Sequence, residues 1–182
     1  VREAAVTISM TGKIALVTGG GSGIGRAAAL AYARAGAHVL VADVDTAGGE
    51  ETVALIEDLS ATGLFVAADV SRAGDVEGMV DAAGAAWGRL DCAFNNAGIQ
   101  GDLSQTAECT EENWDQINGI NLKGVWLCMK YEIIQMLKQG GGAIVNTASV
   151  MGLVGGSRSP AYGATKHGVV GLTTTVAVDY AQ

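Results

Sequence analysis

The sequence predicts an α/β fold: a doubly wound parallel sheet in a single domain. Three observations carry that expectation. Short apolar runs alternate with longer amphipathic stretches along the chain, the pattern of strand–helix–strand units that layer helices on both faces of a parallel sheet. The first apolar run passes directly into T-G-G-G-S-G-I-G, residues 18–25, and then into a helical pattern. With 182 residues, 49% hydrophobic and only 16% charged, the chain has enough apolar side chains for one sizeable core.

In order, Ile14 to Thr18 reads as a short buried strand, and Ile24 to Ala35 as a helix closed by Gly36. His38 to Ala42 is the second strand; Thr46 to Ala61 is the next helix, with Asp45 as its N-cap. Leu64 to Ala67 forms strand three, Gly74 to Trp87 a helix ended by Gly88, and Cys92 to Asn95 strand four. Thr110 caps one long helix reaching about Gln139, ended by Gly140 to Gly142. Ala143 to Thr147 is strand five. A last helix starts at Pro160, which suits the first helical position, with Ser159 as its N-cap. Residues 1–9 read as an N-terminal tail and 10–182 as the domain, without internal repeat, low-complexity segment or linker.

Composition narrows the function classes. A net charge of −8 argues against a nucleic-acid partner, because phosphate binding relies on clustered Lys and Arg. No apolar run approaches the roughly 20 residues that span a bilayer, and no charged segment followed by an apolar one opens the chain. Cys92, Cys109 and Cys128 lack CxxC spacing and read as reduced thiols of a cytoplasmic protein, with no metal site expected. His38, His167 and the tryptophans 87, 114 and 126 read as packing or surface groups.

The glycine-rich turn carries the first chemical signal. Gly19, Gly23 and Gly25 let the backbone turn tightly and approach a pyrophosphate, which the following helix meets with free N–H groups and its positive dipole end. Asp43 follows the second strand, 18 residues after Gly25, close to the spacing of an acid that bonds the adenine ribose hydroxyls. A carboxylate there repels a 2′-phosphate and favours NAD over NADP. Ser22 precedes Gly23, and Arg26, inside the helix, reads as solvated. The second signal is Tyr162 and Lys166, four residues apart and so on one helical face. An ammonium beside a phenol favours the phenolate, the basis of an acid–base device.

These residues together give a chain that resembles the short-chain dehydrogenase/reductase family. The resemblance rests on Thr18-Gly19-x-x-x-Gly23-x-Gly25, Asn95-Asn96-Ala97-Gly98 after strand four, Asn121, Ser149 and Tyr162-x-x-x-Lys166, with Ser149 standing 13 residues before Tyr162. It runs from about Met10 to Gln182. It implies a Rossmann fold and NAD-dependent interconversion of a secondary alcohol and a ketone. Tyr162 would act as general acid and base, and Ser149 would bond the substrate oxygen. Lys166 would hold the nicotinamide ribose, and Asn121 would anchor a proton-relaying water. Gly19, Ser22, Gly23, Ile24, Gly25, Asp43, Asp69, Val70, Asn96, Ala97, Gly98, Tyr162 and Lys166 would contact the cofactor. An NADPH-dependent 3-oxoacyl-thioester reductase and a non-catalytic cofactor-binding member are the alternatives. The resemblance further implies a homo-oligomer, dimer or tetramer, and a small neutral substrate flanked by residues 98–103 and 150–157. Members of the family add strands and a covering helix beyond the one that starts near Pro160. The expectation is therefore a domain incomplete at its C-terminal side, with strand five at the sheet edge.

Overall fold

Five parallel strands form one sheet in the computed structural model, which describes residues 8–180. Residues 1–7 of the expected tail lie outside the described residues. The strands are β1 (Ile14–Thr18), β2 (His38–Asp43), β3 (Gly63–Ala67), β4 (Cys92–Asn95) and β5 (Ala143–Asn146). Their order across the sheet is β3-β2-β1-β4-β5, so the winding reverses between β1 and β4. The helices are α1 (Gly23–Arg34), α2 (Thr46–Asp58), α3 (Ala73–Trp87), α4 (Glu111–Asn118), α5 (Val125–Lys138) and α6 (Pro160–Tyr180). The doubly wound fold is as the sequence predicts, with ends shifted by one to three residues. In α2 the shift is largest: the helix stops at Asp58, and Ser60 takes a left-handed φ of 59°.

The central strand shows why these runs become strands. All five residues of β1 are buried, as expected where helices cover both faces of a parallel sheet. Its side chains alternate between two cores. Ile14 and Leu16 join Leu40, Val76, Met79, Val80 and Leu127 beneath α3 and α5. Ala15 and Val17 join Val39, Val41, Ala29, Ala33 and Ile56 beneath α1 and α2. A third cluster, Val125, Met129 and Val169, seats α6 against α5. β5 pairs with β4 alone, and Val145 is 54% exposed.

Four local expectations need correction. The long helix is interrupted: residues Gly119–Gly124 form a π-helical segment between α4 and α5. At its end the segment packs closely on Val70, where a Cβ on Gly124 would stand 2.9 Å from Val70 Cγ2. Asp45 occupies the N-cap position of α2 but makes no side-chain cap bond; its own N–H donates to Asp43 Oδ1. Ser159 offers α6 its carbonyl, which accepts from the Gly163 N–H, while its hydroxyl faces Gln100 and the Ser157 carbonyl. Arg26 is not solvated. Its guanidinium donates to Thr52 Oγ1, to the Gly21 and Gly48 carbonyls and to Glu51, tying the glycine turn and α1 to α2. By contrast, Thr110 caps α4 as expected, accepting from the Asn113 N–H at 3.2 Å.

Candidate active site

The reversal of strand order between β1 and β4 leaves a crevice at the carboxyl ends of the strands, where open α/β sheets bind ligands. A cleft of about 550 Å³ opens there. Gly19, Ser22, Gly23, Ile24, Asp43, Asp69, Val70, Asn96, Ala97, Gly98, Tyr162 and Lys166 all line it, so the structure brings most of the expected site together.

The glycine turn is held by β1 and by the loop after β4. Thr18 Oγ1 accepts from the Asn96 and Ala97 N–H groups, and the Asn96 amide donates to the Thr18 and Gly19 carbonyls. Gly19 needs its glycine: φ is +64° and a Cβ would meet Ala97 Cα at 2.9 Å. Gly25 lies under the turn, outside the cleft lining, where a Cβ would stand 2.0 Å from the Gly19 carbonyl oxygen. It serves close packing of α1 beneath the turn. Ser22, at the N-cap of α1, makes no side-chain bond to the helix, and Gly23 has open space where a Cβ would be. The first-turn amides of α1 are thereby left for an anion, and the donor set suits a pyrophosphate.

At one end of the cleft Asp43 is oriented by two backbone donors, Gly21 N–H on Oδ2 at 2.8 Å and Asp45 N–H on Oδ1 at 3.0 Å. The acid both tightens the turn and faces the cleft. Asp69 forms a turn of its own, with Oδ1 accepting from the Ser71 N–H and hydroxyl. At the other end, α6 carries Tyr162 and Lys166. Lys166 is buried, donates from Nζ to the Thr147 carbonyl at 2.7 Å and sits 5.5 Å from the centre of the Tyr162 ring. Burial lowers its pKa below the usual lysine range.

Besides Gly25, two expected catalytic residues, Asn121 and Ser149, lie outside the cleft lining. Asn121 is fully buried in the π-helical segment, and its amide bonds both backbone groups of one residue. Its Oδ1 accepts from the Ile99 N–H at 2.8 Å and its Nδ2 donates to the Ile99 carbonyl at 2.7 Å. Ser149, half-buried, caps a short 3₁₀ turn (Val150–Gly152) by accepting from the Met151 N–H at 3.2 Å. That bond leaves the hydroxyl proton free to donate. Sequence reasoning missed Thr147, Ala68, Val44 and Ile120 among the lining residues. For the first three the signal is position, at or just past the carboxyl end of a strand; Ile120 is brought in by the π-helical turn.

A family model described as short chain dehydrogenase matches residues 13–182. The chain belongs to the short-chain dehydrogenase family. It is 47% identical over 173 residues to a short chain dehydrogenase/reductase, astE, of Aspergillus oryzae, covering 94% of this chain and 66% of that protein. To a cyclohexanol dehydrogenase of an Acinetobacter species it is 41% identical, covering 93% of this chain and 67% of the relative. Among solved structures, an NAD⁺-bound xylitol dehydrogenase superposes with a TM-score of 0.92 at 34% identity, over 94% of this chain and 66% of that one. The chain thus spans about two thirds of the length of these relatives. Among the described residues no helix is long and apolar enough to cross a membrane, and no His, Cys, Asp and Glu cluster could hold a metal ion.

Proposed function

We propose that the chain is the cofactor-binding and catalytic part of an NAD-dependent dehydrogenase/reductase that interconverts a small neutral secondary alcohol and its ketone. One observation carries the reading: a single cleft has the Asp43 carboxylate at one end and the Tyr162–Lys166 pair at the other, with the glycine turn between. A carboxylate already oriented by the Gly21 and Asp45 amides suits a ribose diol and repels a 2′-phosphate.

The turn at Gly19, Ser22, Gly23 and Ile24 would hold the pyrophosphate, Asp69 and Val70 the adenine side, and Asn96 to Gly98 the opposite wall. When bound, NAD supplies the hydride acceptor for oxidation and, reduced, the hydride donor for the reverse direction. The protein's residues handle the proton. In oxidation Tyr162 takes the hydroxyl proton of the alcohol; in ketone reduction it returns one to the new alkoxide oxygen. Lys166, fixed by the Thr147 carbonyl, places a positive charge beside the phenol. Ser149 has its proton free to bond the substrate oxygen and stabilise charge developing there. Asn121 holds the Ile99 N–H and carbonyl, and with them the wall that begins at Gly98. Trp114 and Trp126, 41% and 46% exposed on α4 and α5, suit the expected homo-oligomeric contact.

The test is turnover of a panel of secondary alcohols and ketones, followed by absorbance of the reduced nicotinamide. Tyr162→Phe should lower kcat by about 10²-fold or more while NADH binding, followed by fluorescence, stays within about twofold. Undiminished turnover in that variant would overturn the mechanism.

A further inference from the structure

Glu132, on α5, is fully buried, and the mechanism above does not use it. It heads a chain of polar groups, buried at Glu132 and Asn95 and half-buried at Asn146 and Thr173, that crosses four elements. The Asn95 amide of β4 donates to Glu132 Oε2 at 3.0 Å and to Asn146 Oδ1 of β5 at 3.0 Å. The Asn146 amide donates onward to Thr173 Oγ1 of α6 at 3.0 Å, and Thr173 in turn donates to the Val169 carbonyl. Thr173 lies seven residues, two turns, after Lys166 and therefore on the same face of α6. The helix is thus tethered at two successive residues at the end of β5, Lys166 on the carbonyl of Thr147, just past the strand, and Thr173 on the Asn146 amide. Both strand residues adjoin the cleft: Asn95 precedes Asn96, and Asn146 precedes Thr147.

The donor count of the chain is one short. Both protons of the Asn95 amide are used, and Asn95 Oδ1 and Glu132 Oε1 are buried with no partner among the described residues. Two orphan acceptors in an apolar setting are costly, and a proton on the carboxyl converts one of them into a donor. None of the ion pairs among the described residues involves Glu132, and its hydrogen-bond partner is the neutral Asn95 amide, with Asn146 and Thr173 following at one and two bonds' remove. The titratable neighbour that couples to it is Cys128, one turn earlier on α5, which is itself a thiol held neutral by burial. Burial pushes the Glu132 carboxyl up to about 8, against the opposing hydrogen bond from Asn95.

We propose that Glu132 is a positioning residue that acts as a neutral carboxylic acid: through Asn95, Asn146 and Thr173 it locks the carboxyl ends of β4 and β5 to α6 and so sets Lys166 against the Thr147 carbonyl. A neutral acid sets one O–H donor beside a carbonyl acceptor, and a glutamine amide puts an N–H donor and a carbonyl acceptor in the same two places, with one N–H to spare. Glu132→Gln should therefore reproduce the wild type, whereas Glu132→Leu, similar in bulk and without polar atoms, should not.

The experiment compares the three proteins by infrared difference spectroscopy at pH 6, by NADH binding and by steady-state kinetics. The wild type minus Glu132→Gln spectrum should show the carbonyl band of a protonated carboxyl, shifted in D₂O. Its absence would overturn the neutral acid. Glu132→Gln should keep NADH Kd and kcat within about twofold, and Glu132→Leu should lose about tenfold or more in kcat with a smaller change in KM. Loss of kcat in both variants would show that a carboxylate is required, and retention in both would show that Glu132 positions nothing; either outcome overturns the proposal. Were Glu132→Leu not to fold, Glu132→Met, also without a hydrogen-bonding head group, would take its place in the kinetics, and the spectrum with the Glu132→Gln kinetics would still decide whether the acid is neutral. The kinetic arm rests on the dehydrogenase reading above, whereas the infrared arm does not, so the two can fail separately.

Discussion

At the scale of single residues, the sharpest consequence concerns Asp43. Its carboxylate is held by the Gly21 and Asp45 amides, so its charge is fixed at one end of the cleft. Asp43→Ala should remove both the ribose acceptor and the repulsion of a 2′-phosphate. Measured as the ratio of kcat/KM for NAD to that for NADP, preference should fall by about 10²-fold, the loss of roughly 3 kcal/mol of discrimination. Equal use of both cofactors by the unmodified protein would refute the reading. Asp43, Tyr162 and Lys166 were legible in the sequence because their spacing from a glycine turn or from one another is itself the signal. Arg26 was not. A helical position just after the turn gives no hint that the guanidinium folds back onto the Gly21 and Gly48 carbonyls and Thr52. Those partners come from two other elements, and only the packed α1–α2 pair brings them together.

At the scale of elements, the strands and helices could be read from period and punctuation, but the π-helical turn could not. Residues 110–139 read as one helix because isolated glycines such as Gly119 and Gly124 are tolerated inside a helix. The phase shift of about 100° from one extra residue is hard to tell from the ordinary scatter of a short apolar stripe. The tertiary setting explains it. Widening at Gly119–Gly124 turns the Asn121 amide to both backbone groups of Ile99, and such interruptions often mark functional sites. Asn121→Ala would orphan the Ile99 N–H and carbonyl together. At about 1–3 kcal/mol for each buried group left unpaired, the variant should melt several degrees lower. It should also bind NADH more weakly, because the wall beginning at Gly98 would lose its anchor. An unchanged melting temperature with unchanged NADH affinity would show that the loop is held by other contacts.

At the scale of the whole molecule, two carboxyls shape the response to pH in opposite senses. Asp91, beside the start of β1, is pushed up by burial, but bonds from Arg89, the Ile14 N–H and Lys13 outweigh this and hold it below the usual range. The stability it contributes is present above the unfolded-state value of about 3.9 and is lost as pH falls. Glu132 works the other way. Its folded value of about 8 lies above the roughly 4.3 of an unfolded glutamate, so the folded state binds its proton more tightly. That contribution is complete below about pH 4.3 and is lost as pH rises towards 8, a change on the order of a few kcal/mol. The melting temperature should therefore fall between pH 5 and 8, where most proteins are near their maximum. Glu132→Gln isolates the cause, since it keeps the polar chain and removes the titration. Its melting temperature should be flatter than that of the wild type over the same range. Parallel slopes in the two proteins would place the pH dependence elsewhere and leave Glu132 ionised in the fold.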